Sequence, residues 1–167
     1  RYAIAGHEDG FQRALIFVST ETDQEIVYTY RQLHAEVQRM AAALQGLGVR
    51  KGDRVLIYMP MIAEACFAML ACARIGAVHS VVFGGFASGS LATRIDDAEP
   101  TVIVSADAGS RGGKPVPYKH LLDDAINQAE HKPAKVLMVD RGLDKEFSKV
   151  EGRDVDYATL RSQFMDA

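Results

Sequence analysis

The chain reads as an α/β fold, a mainly parallel sheet with flanking helices plus an N-terminal β-hairpin, and three features lead to that class. Short apolar runs recur along it: Val55-Leu56-Ile57-Tyr58, Val78-His79-Ser80-Val81-Val82, Thr101-Val102-Ile103-Val104 and Val136-Leu137-Met138-Val139. Between them lie stretches long enough for helices, and strands so separated pair in parallel through right-handed crossovers. The 167 residues, 48% apolar and 25% charged, suit a single unit with a real core, able to bury roughly 70% of its unfolded surface.

Each element follows from its pattern. Ala14–Val18 and Ile26–Thr29 are apolar and β-branched, with the polar stretch Ser19–Glu25 between them, so they form a hairpin. Leu33, Val37, Met40, Leu44 and Leu47 recur at spacings of three and four, which predicts a one-faced helix. Thr29 with Gln32 three residues on is a capping-box start, and Gly48 is a stop signal. Val55–Tyr58, closed by Pro60, suits a buried strand, and the Ala-rich stretch Met61–Ile75 a buried helix. Val78–Val82 is the next strand. Ser88–Ala98 is a helix capped by Ser88, Thr101–Val104 a strand, Lys119–Ala129 a helix and Val136–Val139 a strand. The charged residues 141–156 read as a loop or small excursion. Arg161-Ser162-Gln163-Phe164 has helical character to the last. With a first residue other than Met, both ends are expected to be cuts, making residues 1–167 one α/β unit of a longer chain.

Composition narrows the function. A net charge of −3 offers no electrostatic attraction for nucleic acid. No apolar run reaches membrane-spanning length, and the first residues lack the basic start and apolar middle of a secretion signal. Cys66 and Cys72, six apart in one helical stretch, face different ways and cannot bridge; they read as buried thiols of a cytoplasmic protein.

Ligands of parallel sheets gather beyond the carboxyl ends of the strands, and two loops there stand out. Phe83-Gly84-Gly85-Phe86 follows the Val78–Val82 strand. Its glycines permit either close approach of a ligand to the backbone or a tight turn flanked by core phenylalanines. Gly109-Ser110-Arg111-Gly112-Gly113-Lys114 follows the Thr101–Val104 strand. Exposed N–H groups with Arg111 and Lys114 make a phosphate site or, equally, a solvated basic turn. It is not a Walker A loop: Gly109 is one position too close to Gly113-Lys114, and Pro115 stands where Ser or Thr would hold Mg²⁺.

Other candidates carry less. No two of His7, His34, His79, His120 and His131 have the spacing of a local zinc motif. His79, inside a strand pattern, reads as a core histidine. Asp96 and Asp97 face different directions and read as a solvated pair. Ser80, Ser88 and Ser105 have no nucleophile-elbow context.

Beyond this physical reading, several motifs resemble a known family. Tyr28-Thr29-Tyr30-Arg31-Gln32-Leu33, then Leu47-Gly48-Val49-Arg50-Lys51-Gly52-Asp53-Arg54-Val55, resembles the opening of the acyl-adenylate-forming superfamily. So do Tyr58-Met59-Pro60-Met61 with Glu64, and the run Leu70–Val81. That last stretch, continuing through Phe86, resembles the AMP-forming short-chain acyl-CoA synthetases, as does Ser105–Lys114. Val116-Pro117-Tyr118-Lys119 brings the likeness nearer the propionyl-CoA than the acetyl-CoA synthetases. The resemblance covers nearly all of residues 1–140.

It implies a fragment of the large N-terminal domain of an acid–thiol ligase. Such enzymes make an acyl-adenylate from ATP and a carboxylate, release pyrophosphate, and pass the acyl group to CoA sulfur after a small C-terminal domain rotates. Arg111, Gly112, Gly113 and Lys114 match the loop that contacts CoA near its 3′-phosphate. Phe83, Gly84 and Gly85 match a loop lining the CoA nucleotide site. Acetyl members usually carry Arg where Lys114 stands, and lysine supplies charge without a bidentate fork. The Ser/Thr/Gly-rich ATP-phosphate loop, the ribose-binding aspartate, the hinge and the catalytic lysine are absent from this stretch. The expected partners are therefore CoA, a short-chain carboxylate and ATP, with ATP and Mg²⁺ held by residues outside the segment, which alone is expected to be inactive. A propionate–CoA ligase is the leading expectation. An acetate–CoA ligase, or a stand-alone nucleotide-binding or interaction module, is the alternative.

Overall fold

In the computed structural model, residues 10–82 and 84–164 are described. Strands β1 (Arg13–Ser19) and β2 (Gln24–Thr29) pair antiparallel as the expected hairpin. Helix α1 (Tyr30–Gly46) starts at the expected capping box. The Gln32 N–H donates to Thr29 Oγ1 at 3.2 Å, and the Thr29 N–H donates to Gln32 Oε1 at 2.9 Å. Both orphan donors are thereby satisfied. The helix ends at Gly46, and Gly48 adopts φ +100 just beyond it.

The main sheet alternates with helices as the sequence implies. Its strands are β3 (Arg54–Tyr58), β4 (Val78–Val82), β5 (Val102–Ala106), β8 (Lys135–Val139) and β9 (Asp154–Asp156). Their order is β4-β3-β5-β8-β9, and every pairing is parallel. Helix α2 (Ala63–Ile75) connects β3 to β4, and α3 (Ser88–Ala98) connects β4 to β5. Helix α4 (Tyr118–Gln128) precedes β8, and α5 (Tyr157–Ser162) follows β9.

Strand periodicity sends alternate side chains to opposite faces. Val55, Ile57, Val104 and Leu137 pack with α1 and α2. Leu56, Tyr58, Ile103 and Met138 pack with α3 and α4. The core is therefore two apolar layers divided by a sheet whose middle strands are buried on both faces, as parallel sheets require. Among the described residues no helix is long and apolar enough to cross a membrane.

Several expectations change. The segment Gly109–Val116 is not a plain loop: β6 (Gly109–Arg111) and β7 (Lys114–Val116) form a small antiparallel hairpin. The charged stretch 141–156 ends in β9, a fifth strand. Ser88 is the first residue of α3, and Ala87 sits at the cap position with no side-chain bond. Helix α5 stops at Ser162, with Gln163 as its cap, so the helical run expected through Phe164 is shorter. His79 is not a core residue. It is exposed because β4 is an edge strand, where Val78 and Val81 are also more than half exposed. Cys66 is only half-buried, and both thiols are free. Asp97 is exposed, but half-buried Asp96 accepts the His131 N–H at 2.8 Å.

The polar strand β9 is held by charge. The Asp154 side chain is fully buried beside the Lys119 ammonium (3.1 Å) and the Arg153 guanidinium (2.6 Å), and Asp123 completes the group by pairing with both cations. Burial by itself raises the Asp154 carboxyl. Hydrogen bonds from Arg153, the Val150 N–H and Lys119 outweigh it and hold the group below the ordinary carboxylate range. Its folded pKa is thus lower than its unfolded one. The stability it contributes is present above the unfolded value and is lost as pH falls through the folded one. We predict that the 167-residue chain unfolds cooperatively in urea at pH 7, and that Asp154→Asn lowers its stability by about 3 kcal/mol. The deficit of the variant should shrink as pH drops from 5 towards 2, when wild type also loses the charge. A pH-independent deficit would contradict this account.

Candidate functional site

Because β3, β4 and β5 run parallel, the segments that leave their carboxyl ends emerge on one side of the sheet. There Pro60 and Met61 after β3, Gly84 and Gly85 after β4, and the β6–β7 hairpin line one cavity of about 520 Å³. The turn between β1 and β2 supplies a further wall through Ser19 to Glu21. The two loops singled out in the sequence therefore meet across one space. Arg111, Gly112 and Gly113 line it together with Gly84 and Gly85. Lys114 is exposed and lies outside the lining, opposite Arg111 in the hairpin register. Phe83 lies outside the described residues.

The hairpin explains its own glycines. Arg111 pairs with Lys114, leaving Gly112 and Gly113 as the two turn residues, with φ +58 and +77. Two positive φ values are what a type I′ turn needs, and nothing crowds a Cβ at either position, so the constraint is backbone conformation alone. Directly opposed residues of a hairpin share a face, so Arg111 and Lys114 present two positive charges side by side.

Gly84 obeys a different constraint. Its φ is not positive, but an added Cβ would stand 1.8 Å from the Tyr118 hydroxyl oxygen. Gly109 is similar, with Tyr118 Cε2 at 2.9 Å and Pro60 Cβ at 3.1 Å. Both glycines make room for Tyr118, which opens α4 and packs on Tyr58 with ring centroids 5.0 Å apart. Burial, with the Glu21 carboxylate adding to it, raises the Tyr118 phenol. Tyr58 is pushed up to about 12 by burial and by Tyr118. Both phenols therefore stay neutral at ordinary pH, and Tyr118 presents an uncharged ring to the cavity.

Sequence reasoning missed Glu21 and Arg141, and it gave Ser110 and Tyr118 no role of their own. The Ser110 N–H donates to Glu21, which also pairs with Arg141. Arg141 donates in turn to the Ala108 carbonyl at 3.0 Å. No local pattern joins these residues, which come from three separate stretches of chain. Only the excess of polar residues in the β1–β2 turn could have drawn attention to Glu21. Glu21 is thus paired to Arg141, and the hairpin adds two cationic side chains, Arg111 in the cavity lining and Lys114 opposite it. Among the described residues no group of three or more His, Cys, Asp or Glu side chains could hold a metal ion.

The sequence pattern of the AMP-binding enzyme family matches residues 6–163. The chain belongs to that family. Propionate–CoA ligase of Escherichia coli (strain K12) is 66% identical over 154 residues, which covers 92% of this chain and 24% of that protein. An acetyl-coenzyme A synthetase of Marinomonas sp. (strain MWYL1) is 47% identical over 138 residues, covering 83% of this chain and 21% of that protein. Acetoacetyl-CoA synthetase from Streptomyces lividans has a fold similar at a TM-score of 0.80 and 29% identity, over 96% of this chain and 24% of its own. The chain spans about a quarter of the length of the curated relatives it matches.

In this AMP-binding enzyme segment the Gly84–Tyr118 contact is directly testable. Gly84→Ala should destabilise the chain by about 2–3 kcal/mol in urea unfolding, as overpacking of a tight site does. Adding Tyr118→Phe should recover little, because Cζ and Cε1 still lie 2.5 and 2.6 Å from the new Cβ. Full recovery in the double variant would mean that the hydroxyl alone sets the constraint.

Proposed function

We propose that this chain is part of the N-terminal domain of an AMP-forming propionate–CoA ligase, and that its cavity receives the nucleotide end of CoA. The observation that carries the reading is the 66% identity to a propionate–CoA ligase across nearly the whole chain, against 47% for the acetyl-coenzyme A synthetase. The complete enzyme would join propionate to AMP with release of pyrophosphate, then transfer the propionyl group from the adenylate to the CoA sulfur, freeing AMP. It would do so in the cytoplasm, and residues beyond this chain would hold ATP and Mg²⁺.

The cavity supports a CoA role on chemical grounds. Arg111 and Lys114 place two cations on one face of a hairpin at its rim, matched to phosphate oxygens. Gly84 and Gly85 leave the opposite wall low. Arg111 is exposed, so water screens any phosphate contact it makes except where the nucleotide displaces that water. A charge-assisted hydrogen bond is worth about 1.5–3 kcal/mol when well formed. The exposed setting puts Arg111 at the lower end, about tenfold in apparent affinity.

In the complete enzyme, Arg111→Ala should raise KM for CoA about tenfold. Propionate-dependent ATP–pyrophosphate exchange without CoA should stay within twofold of wild type. Wild type should prefer CoA to dephospho-CoA, and the variant should lose most of that preference. Undiminished discrimination, or exchange that falls as far as thioester formation, would remove Arg111 from the CoA site. The 167-residue chain alone should show no exchange above a protein-free control, with propionate or with acetate.

A further inference from the structure

The β6–β7 hairpin that carries Arg111 is only three residues long on each side and, among the described residues, has no ladder to the main sheet. Something else must set where Arg111 stands. Across the hairpin Ser110 faces Pro115, which has no N–H to donate. Arg111 and Lys114 form the bonded pair that closes a two-residue turn, so Ser110 and Pro115 form the next, non-bonded pair. The Ser110 N–H therefore points out of the hairpin and needs an acceptor elsewhere.

Glu21 provides it. One carboxylate oxygen accepts the Ser110 N–H, and the other accepts from Arg141. Arg141 also donates to the Ala108 carbonyl at 3.0 Å, and its backbone N–H is held by Asp107 Oδ1 at 3.0 Å. The stretch Ala108–Ser110 is thus gripped at both ends by two side chains that are themselves an ion pair. The pair is largely withdrawn from water, with Arg141 8% and Glu21 20% exposed. Glu21 is fixed in turn by Ser19, whose Oγ accepts the N–H groups of Glu21 and Thr22, each at 3.2 Å.

We infer that Glu21 and Arg141 are positioning residues for CoA: they hold the root of the hairpin so that Arg111 meets a CoA phosphate in one place. This rests on the CoA reading of the cavity. Neither residue need touch the ligand. Ser110 immediately precedes Arg111, so anchoring its nitrogen leaves the Arg111 backbone little room to swing, and anchorage of this kind is what turns a flexible cation into a placed one.

A purely electrostatic role makes the opposite forecast for one of the two residues. Removing Glu21 would leave a net positive charge beside the cavity and tighten CoA. Removing Arg141 would leave a negative one and weaken it. Positioning predicts weaker binding from both.

The test uses the complete enzyme and measures KM for CoA, kcat, and pyrophosphate exchange without CoA. Glu21→Ala and Arg141→Gln should each raise KM for CoA about five- to twentyfold, with kcat and exchange within twofold of wild type. Glu21→Gln keeps an acceptor for the Ser110 N–H and should fall between wild type and Glu21→Ala. Arg141→Lys keeps charge without the fork and should be intermediate as well. Glu21→Ala added to Arg111→Ala should raise KM by less than twofold further, since the anchor has nothing left to place. Amide hydrogen exchange in the peptide 108–117 should quicken in Glu21→Ala. A lower KM for Glu21→Ala, or a KM within twofold of wild type, would overturn the inference. So would an exchange activity that falls in step with CoA use in Glu21→Gln. If Arg111→Ala raises KM and Glu21→Ala does not, the anchor alone fails. If Arg111→Ala leaves KM unchanged, the CoA reading fails, and the inference with it.

Discussion

Three backbone donors converge on the Asp107 carboxylate, and much of the geometry at the open end of the sheet follows from that convergence. Asp107 is fully buried, and it accepts the N–H groups of Arg141 at 3.0 Å, Leu143 at 2.8 Å and Asp144 at 3.2 Å. A buried carboxylate without such partners is costly, and oriented peptide donors compensate it as a cation does. Its own peptide group is engaged too: the N–H reaches the Val139 carbonyl, and the carbonyl accepts the Lys119 N–H, both at 3.1 Å. One residue thereby ties the ends of β5 and β8 to the first turn of α4.

Two polar centres follow from that tie. On one side Arg141, held by its backbone, can aim its guanidinium at Ala108 and Glu21 and so brace the β6–β7 hairpin. On the other, Lys119 sends its ammonium to Asp123 and Asp154 and secures the fifth strand. The hairpin then has a fixed root and a tip facing solvent, with cations at the tip. That division suits the proposed binding of a charged nucleotide from water, because placement is settled before the ligand arrives.

The apolar periodicities carried most of the fold. Val55–Tyr58, Val136–Val139 and the Leu33–Leu44 stripe announce their elements because a strand or helix buried in a core needs unbroken or regularly spaced apolar side chains. Elements that draw their stability from polar contacts stayed hidden. Asp154-Val155-Asp156 has no apolar run and is a strand because Lys119 and Arg153 meet its first aspartate. Gly109–Val116 reads as a loop because three-residue strands containing Pro, Arg and Lys show no alternation. His79 misled for a related reason: its neighbours Val78, Val81 and Val82 look like core, but β4 lies at the sheet edge.

The candidate site divides along the same line. Arg111, Gly112, Gly113 and Lys114 were legible as a group, since charge and glycine next to each other in the chain bear on the same few atoms. By itself the sequence determined the α/β class, the order of the apolar strands and the helices between them, and the two loops at which chemistry could gather, because each depends on residues within one or two turns of one another. Only the tertiary structure decided that those loops share a cavity, that Gly84 is spared a side chain for Tyr118, and that Glu21 and Arg141 brace the hairpin. Those facts depend on contacts between stretches of chain far apart in sequence, and such contacts leave no local periodicity to read.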